Sequence, residues 1–538
     1  MKQLLINLQI KSLILCLFLA LLVSCNSSTN SLTLIPEDTN VITVVDVYSL
    51  YKKGNLKDIE ELDFFKVFQR EVRNEDKKVA RFIEDIKEDP ALSGLDLAKD
   101  MFMFYIDDAS DEKYFCLALD VKDEEKFTEF IEDILDKGGV SFDLEKEKLY
   151  KYIIVKGEVA FAWDDKKMIM LGAQNRSSRE NLDIAIESLF EIKENRQITS
   201  NKEFMSFYNG KKDVNFWMST NVFKSQYEFK KIERELGFDI EDNIITAQVD
   251  FQDDKINLLT KVLPNDDLKK YVEKDDMFSN SFNKTIINYL PEKSYANASL
   301  AINPEAYYNM ISEEMDTDKM EREFEKKMGF ELKELFSSLK GSMVVDLSGF
   351  EEYEYEDFYY GKKTKTVPVM SLVFDLNSDK YLKKIIDEIP ERKIEARNDY
   401  YEVEIDGDSS LFIAFNDEVC LLTNDKKSIK AFKDGGVSSK VVNNSDKRAN
   451  LSDGGYYAYF NMNYDDYPKE VKKMFKDMQN DQEEKVFDIW TKFAKGMEVK
   501  MIDRYTLEFN LETQNKQKNS LQVLLESIDE SFEQYSSY

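Results

Sequence analysis

The sequence contains no histidine. That removes the side chain most often used as a general base near neutral pH, as a zinc or copper ligand, and as a physiological pH switch. Ser-His-Asp and Cys-His triads are excluded outright. Glycine is scarce, with 18 in 538 residues, and no G-x-G-x-x-G or Walker A run occurs, so the common nucleotide-binding folds are not expected. Only four cysteines are present. Cys116 and Cys420 each sit inside an apolar strand-like run, YFCLALDV and EVCLLTN, and read as buried free thiols. Basic charge is short as well: 74 Lys and Arg stand against 105 Asp and Glu, a formal net charge of −31. So acidic a chain repels phosphate backbones, and no nucleic-acid partner is expected. The charge is spread as mixed Lys/Glu faces rather than as one block, which reads as solvated surface. No cofactor is called for by any motif.

What is present begins at the N-terminus. Lys2 and Lys11 flank an n-region, and an apolar run follows from Ser12 to Val23. The run is too short and wrongly flanked for a membrane-spanning helix, and reads as a signal peptide over residues 1–24. It ends in Leu22-Val23-Ser24-Cys25, which resembles the bacterial lipobox. In that motif the cysteine becomes the first mature residue and carries the acyl chains, palmitate among them. Cys25 is therefore the expected lipid-attachment residue, and residues 25–33 a lipidated polar tether. Each methylene buried in a bilayer contributes about 0.8 kcal/mol, so several chains on one residue would anchor the protein to a membrane. Asn26 is not the Asp of an enterobacterial inner-membrane retention signal, and Asn26–Asn30 lacks an acidic export tag. The expected address is the cell envelope, at the outer membrane facing the periplasm.

The body reads as one long unit written twice. LIPEDTNVITVVDVYSL (34–50) returns as YLPEKSYANASLAINPEAYYNM (289–310). Pro36 answers Pro291 and Asp120 answers Asp375, both at an offset of 255. VAFAWDDKKMIML (159–171) answers LFIAFNDEVCLLT (411–423), VNFWMST (214–220) answers YAYFNMN (457–463), and the hairpin closing each half has a counterpart. Apolar runs of period two separated by short turns predict strands at 41–47, 101–106, 114–121, 149–155, 159–163, 168–171, 214–219, 244–251 and 256–262. Apolar residues at spacings of three and four predict helices over 56–88, from Asp123, over 178–192 and over 223–236. Turns too short for crossovers make the sheets antiparallel. The expected class is α+β: two tandem homologous halves of antiparallel hairpins with packed helices. The boundaries are 34–264 for the first repeat, 265–284 for a linker, and 285–538 for the second repeat with its C-terminal helix. In that last helix Leu521, Leu524, Leu525, Ile528 and Phe532 share one face.

The lipobox, the Ile-Pro-acid-acid step before a β-run, and the duplicated α+β body together resemble the domain-of-unknown-function 4836 family. The resemblance covers the mature chain and implies a lipoprotein of a Bacteroidota envelope. It brings no established activity and no catalytic residues.

Carboxylates are the acid–base groups in quantity, and a glycosidase-like pair needs two at ~5–10 Å. Asp120 and Asp375 recur at equivalent places, but each ends a strand shortly before a helix, where an Asp satisfies backbone donors. The acidic turns Asp164-Asp165, Asp253-Asp254, Asp406-Gly407-Asp408 and Asp465-Asp466 lack the spacing of a calcium loop and read as hairpin turns. The halves differ most at Ser348–Thr366. There Tyr353 and Tyr355 alternate with Glu352, Glu354 and Glu356, followed by Tyr359 and Tyr360. This is read as a projecting hairpin, tyrosines on one face and acids on the other, and as a candidate contact surface for an envelope protein or glycan. The competing reading is a strand extension covering its own core. The function expected is a non-catalytic binding or scaffold module on a lipid anchor. The alternative is a carboxylate-dependent hydrolase of envelope or carbohydrate polymer, and a third reading is an acidic metal- or lipid-handling module.

Overall fold

A computed structural model describes residues 29–75, 89–107, 113–173, 179–237, 239–274, 277–279, 281–290, 294–314, 318–357, 361–397, 399–406, 409–435, 450–451, 455–477 and 481–536. The chain forms two compact units. The first runs to Asn265 and takes in Asn515–Tyr538; the second is Asp266–Gln514.

The strands of the first unit are β1 (Val41–Val45), β2 (Met101–Asp107), β3 (Lys113–Asp120), β4 (Glu145–Lys146), β5 (Lys151–Val155), β6 (Val159–Trp163), β7 (Lys167–Ala173), β8 (Val214–Ser219), β9 (Ile244–Phe251) and β10 (Lys255–Leu263). They form an antiparallel sheet in the order β4-β5-β6-β7-β3-β2-β1-β8-β9-β10. Successive side chains of a strand point to opposite faces, and here the centre of the sheet is buried on both. Val45, Met101, Leu117 and Met170 pack with Phe127, Ile131 and Trp163 on one face; Ile42, Phe104, Cys116 and Leu171 pack with Leu182, Phe204 and Trp217 on the other.

The helix Glu124–Lys137 covers the first of these faces. Asp123 caps it by accepting the Lys126 N–H at 3.1 Å, and its apolar stripe of Phe127, Phe130, Ile131 and Ile134 is buried, as the spacing predicts. The Trp163 ring meets Phe127 edge-on at 5.4 Å, and its indole N–H donates to Thr128 Oγ1 at 3.1 Å.

The helix expected over 56–88 is a 3-10 segment at Leu56–Glu61 followed by a helix at Asp63–Glu75; residues 76–88 lie outside the described residues. A further helix at Lys202–Asn209, absent from the sequence expectation, is capped by Asn201 through the Phe204 N–H at 2.9 Å.

The C-terminal helix, Ser520–Ser536, groups with the first unit, whereas the sequence reading attached it to the second repeat. The Ser520 N–H donates to the Gln252 carbonyl at 2.8 Å, and Asp529 Oδ1 accepts the Phe64 N–H at 2.9 Å. Its most buried stripe is Ser520, Val523, Ser527 and Ser531 rather than the leucines. Ser527 and Ser531 can be buried because each returns its hydroxyl to the carbonyl four residues back, at 2.8 and 2.9 Å.

The second unit opens with a helix at Asp266–Lys274, inside the stretch read as a linker. Its strands are β11 (Ala296–Ala301), β12 (Leu339–Asp357), β13 (Gly361–Leu376), β14 (Ile394–Ala396), β15 (Tyr401–Asp406), β16 (Ser409–Phe415), β17 (Val419–Thr423), β18 (Tyr456–Asn461), β19 (Ala494–Asp503) and β20 (Thr506–Thr513). Their order is β14-β15-β16-β17-β13-β12-β11-β18-β19-β20, again antiparallel. Strand for strand this is the order found in the first unit. The architecture is α+β. Val344, Val373, Leu421 and Tyr457 pack with Ile286, Leu290 and Phe432 on one face. Phe374, Cys420 and Leu422 pack with Leu382 and Ile386 at one end of the other face. Cys116 and Cys420 are both buried free thiols, and burial pushes both pKa values up.

Candidate binding surface

The second unit carries an arm. β11 pairs with β12 over Ser342–Leu347, and β17 pairs with β13 over Ser371–Asp375. A bulge between Leu347 and Gly349 follows, and from there Gly349–Asp357 and Gly361–Val369 pair with each other alone among the described residues. Nine residue pairs at 3.3 Å make a two-stranded ribbon of about 30 Å. Register sets Tyr353 opposite Lys365 and Tyr355 opposite Lys363, with Glu351 on the same face of the ribbon. The other face carries Glu352 and Glu354 opposite Thr366 and Thr364, with Lys362 beyond them. Each face is therefore mixed in charge.

Of the expected contact residues, Tyr353 is half-buried and donates its hydroxyl to Glu351 Oε2 at 3.2 Å. Glu351 Oε1 in turn lies 3.6 Å from Lys427 Nζ. Burial, and then the Glu351 and Asp425 carboxylates, push the Tyr353 pKa up. The Tyr355 side chain, Tyr359, Tyr360 and the lipid-attachment residue Cys25 lie outside the described residues.

Beside the root of the arm the sheet presents an apolar trough. Ala296 and Ala298 of β11 point to the same face as their register partners Leu347 and Val345 of β12 and Phe460 and Ala458 of β18. Met370, Met497 and Val499 continue that face. Three alanines make a low floor between larger rims, enclosing about 350 Å³. Val345, Met370, Phe460 and Met497 are 38–47 % exposed. No sequence block announced this surface, because it joins one residue in two from strands far apart in the chain.

The first unit has a wider groove of about 1070 Å³, in which Val41, Tyr105, Phe115 and Gly172 meet Lys113, Lys224, Lys230 and Asp38. Tyr105 and Phe115 pack edge-on at 5.5 Å. Asp38 is the one carboxylate among its described lining residues.

The carboxylates singled out in sequence act as clasps. Asp120 accepts the Asn30 and Ser31 N–H groups at 2.8 Å each, Ser31 Oγ at 2.7 Å and Asn30 Nδ2 at 3.1 Å. It satisfies backbone donors, but those of the N-terminal segment and not of the helix that follows it. Asp375 accepts the Ser342 N–H at 2.8 Å, and burial pushes its pKa up against that bond. Asp164 closes its turn on the Lys166 and Lys167 N–H groups at 2.8 and 2.9 Å. Asp465 lies 3.5 Å from Lys472, and Asp466 accepts Asn461 Nδ2 at 2.9 Å. Residues 407–408 lie outside the described residues.

Two clusters escaped the sequence reading. At one end of β2, β1 and β8, Asp100 takes the Tyr208 hydroxyl at 2.5 Å and the Lys211 ammonium; burial, outweighing both, pushes the Asp100 pKa up. Next to it Asp213 takes Lys53 at 2.7 Å, Ser49 Oγ at 2.5 Å and the Phe251 N–H at 2.6 Å. Glu233, Asp239 and Glu241 bring one oxygen each within 4.8 Å of one another, in a groove of about 750 Å³ shared with Tyr227, Lys230 and Arg234. Three carboxylate oxygens at that spacing suit a hard cation. Here Glu241 is paired with Lys224, and Glu233 accepts the Ile240 N–H at 3.4 Å.

Fold and surface together define a two-unit antiparallel α+β protein with an exposed apolar sheet face and a protruding ribbon. The family described as "Domain of unknown function (DUF4836)" matches residues 32–521. The chain belongs to that family. No curated protein matches it. One solved structure that resembles it, titled "Structure of crystal form I of TP0453", is 9 % identical over 47 % of this chain and 88 % of that one, with a TM-score of 0.26. At that score the likeness carries no argument.

Proposed function

We propose that the chain is a non-catalytic binding protein of a Bacteroidota-type cell envelope, held by acyl chains on Cys25 at the periplasmic face of the outer membrane. Its occupant is an envelope protein, docked on the apolar trough of the second unit, with the arm bearing Tyr353, Tyr355, Tyr359 and Tyr360 extending the contact. The observation that carries this is the exposed cluster of Val345, Met370, Phe460 and Met497 around an alanine floor. Methionine and aromatic residues concentrate at the cores of protein interfaces, and methionine adapts its shape to a partner. Charges on the arm, Glu352, Glu354, Lys363 and Lys365, supply a polar rim beside it. In-cell crosslinking followed by purification through a C-terminal tag tests the proposal. A reproducible protein adduct that is lost on Met370→Glu with Phe460→Glu, and also lost on Cys25→Ala, supports it. An adduct indifferent to the trough pair overturns the assignment of the surface.

The second reading, a carboxylate-dependent hydrolase, is favoured only by the Glu233, Asp239 and Glu241 cluster. It requires product release from an envelope polymer that Glu233→Gln and Glu241→Gln abolish.

A further inference from the structure

On the face opposite the trough, a row of polar side chains crosses the second unit. Register sets Thr423, Ser371, Asp346, Asn297, Tyr459 and Glu498 side by side on six adjacent strands. The matching positions of the first unit are Leu171, Cys116, Phe104, Ile42, Trp217 and Thr246, apolar in all but the last. Asp346 is 1 % exposed and Asn297 5 %. Among the described residues each has one oxygen without a hydrogen-bond partner, Asp346 Oδ2 and Asn297 Oδ1. Ser294 sits beside both: its Oγ accepts Asn297 Nδ2 at 3.2 Å, its hydroxyl donates to the Ala296 carbonyl at 3.0 Å, and it draws the Asp346 pKa down.

The two residues are direct cross-strand partners, whose Cβ atoms sit about 5 Å apart. Two buried acceptors on paired residues, neither with a donor among the described residues, are a costly arrangement, and native interiors rarely keep one. The titratable groups of the row are Tyr459, one strand beyond Asn297, and Glu498, three strands from Asp346 and so roughly 14 Å away. The row contains no cation. Ser371 and Ser294 are neutral.

We infer that Asp346 is held as the carboxylic acid, with Oδ2–H donating to Asn297 Oδ1, so that one proton satisfies both oxygens and makes the β11–β12 pair sensitive to pH. Burial, opposed by the Ser294 hydrogen bond, pushes the Asp346 pKa up to about 7. An acid whose folded pKa is raised stabilises the fold at low pH, and that contribution is lost as pH rises through the folded value. Loss of the proton leaves an anion facing a carbonyl oxygen inside the strands whose other face forms the trough. The inference stands on the second unit alone and does not depend on any partner.

Amide exchange of β11 and β12, measured on residues 26–538 between pH 5.5 and 8.5 and corrected for intrinsic exchange, tests it. Titration near 7 against an unfolded value near 3.9 raises the opening equilibrium of the wild type about 30-fold over that range. Asp346→Asn keeps the shape and supplies the N–H donor, so its profile is flat. A flat wild type, or an Asp346→Asn variant that opens as readily at pH 5.5 as the wild type does at pH 8.5, overturns the inference. So does calcium restoring wild-type protection at pH 8.5, which would assign the two oxygens to a cation. If Asp346→Asn does not fold, infrared spectra of the wild type decide: a protonated-carboxyl carbonyl band at pH 6 that is lost by pH 8.5 supports the proton, and its absence at pH 6 refutes it.

Discussion

Asp120 fastens the start of the described chain to the first sheet, and removing it has a calculable consequence. Its carboxylate receives four hydrogen bonds from Asn30 and Ser31. Ser31 is fully buried and Asn30 half-buried, so in Asp120→Ala water can replace the lost partner for Asn30 but not for Ser31. Two buried donors, the Ser31 N–H and Oγ, are then stranded at about 1–3 kcal/mol each, and an expected loss of about 3–4 kcal/mol follows. Asp120→Asn keeps the volume and one acceptor oxygen and should cost about half as much. Against a domain stability of about 5–15 kcal/mol the unit stays folded. The assay is amide exchange of residues 29–36 in the mature chain, alongside the urea midpoint. Asp120→Ala should release 29–36 by two to three orders of magnitude while β5 and β6 keep their protection. Unchanged protection of 29–36 would refute the clasp, and so would an Asp120→Asn variant as damaged as Asp120→Ala.

Lys53→Met removes the ammonium from buried Asp213 and from Asp250, at 2.7 and 2.8 Å. Because Asp213 keeps Ser49 and the Phe251 N–H, the expected cost is about 2–3 kcal/mol in the urea midpoint of the first unit, below the 3–5 of a fully stripped pair. Burial lowers the Lys53 pKa, but the bonds from Asp213 and Asp250 raise it by more, so this contribution is present at neutral pH and fades only above the usual lysine range. Gly341 has φ +114°, and a Cβ there would lie 2.0 Å from the Ile302 carbonyl oxygen, so Gly341→Ala should cost about 3 kcal/mol or more. Gly349→Ala meets nothing within 4 Å and should stay within about 0.5 kcal/mol, both variants being read from the urea midpoint of the second unit. Between pH 5.5 and 8.5 the wild type should lose about 2 kcal/mol relative to Asp346→Asn in the second unit, the equivalent of the 30-fold change in opening.

Where the physics is local, the sequence is readable. β8 and β9 fall at the residues their alternation predicts, and the helix after Asp123 has the expected cap and buried stripe. Helix Lys202–Asn209 had its signal too, Asn201 as cap and Phe204, Phe207 and Tyr208 at helical spacing, but it is short and sits between turns. The C-terminal helix buries serines that satisfy their own hydroxyls, so counting leucines pointed at the wrong stripe. The trough and the polar row were not legible because register creates them. In MVVDLSGF, Asp346 looks like the solvent-facing residue of an alternating strand; only the pairing of β11, β12 and β13 shows that Asn297 and Ser371 flank it in the interior.

The most direct test of the proposed binding role places a photocrosslinking residue at Met370 in intact cells and, as control, at Glu228 on the first unit. The trough account predicts a discrete protein adduct from position 370 and none from 228. Equal labelling from both positions, or no adduct from 370 with the protein folded and anchored, would contradict it.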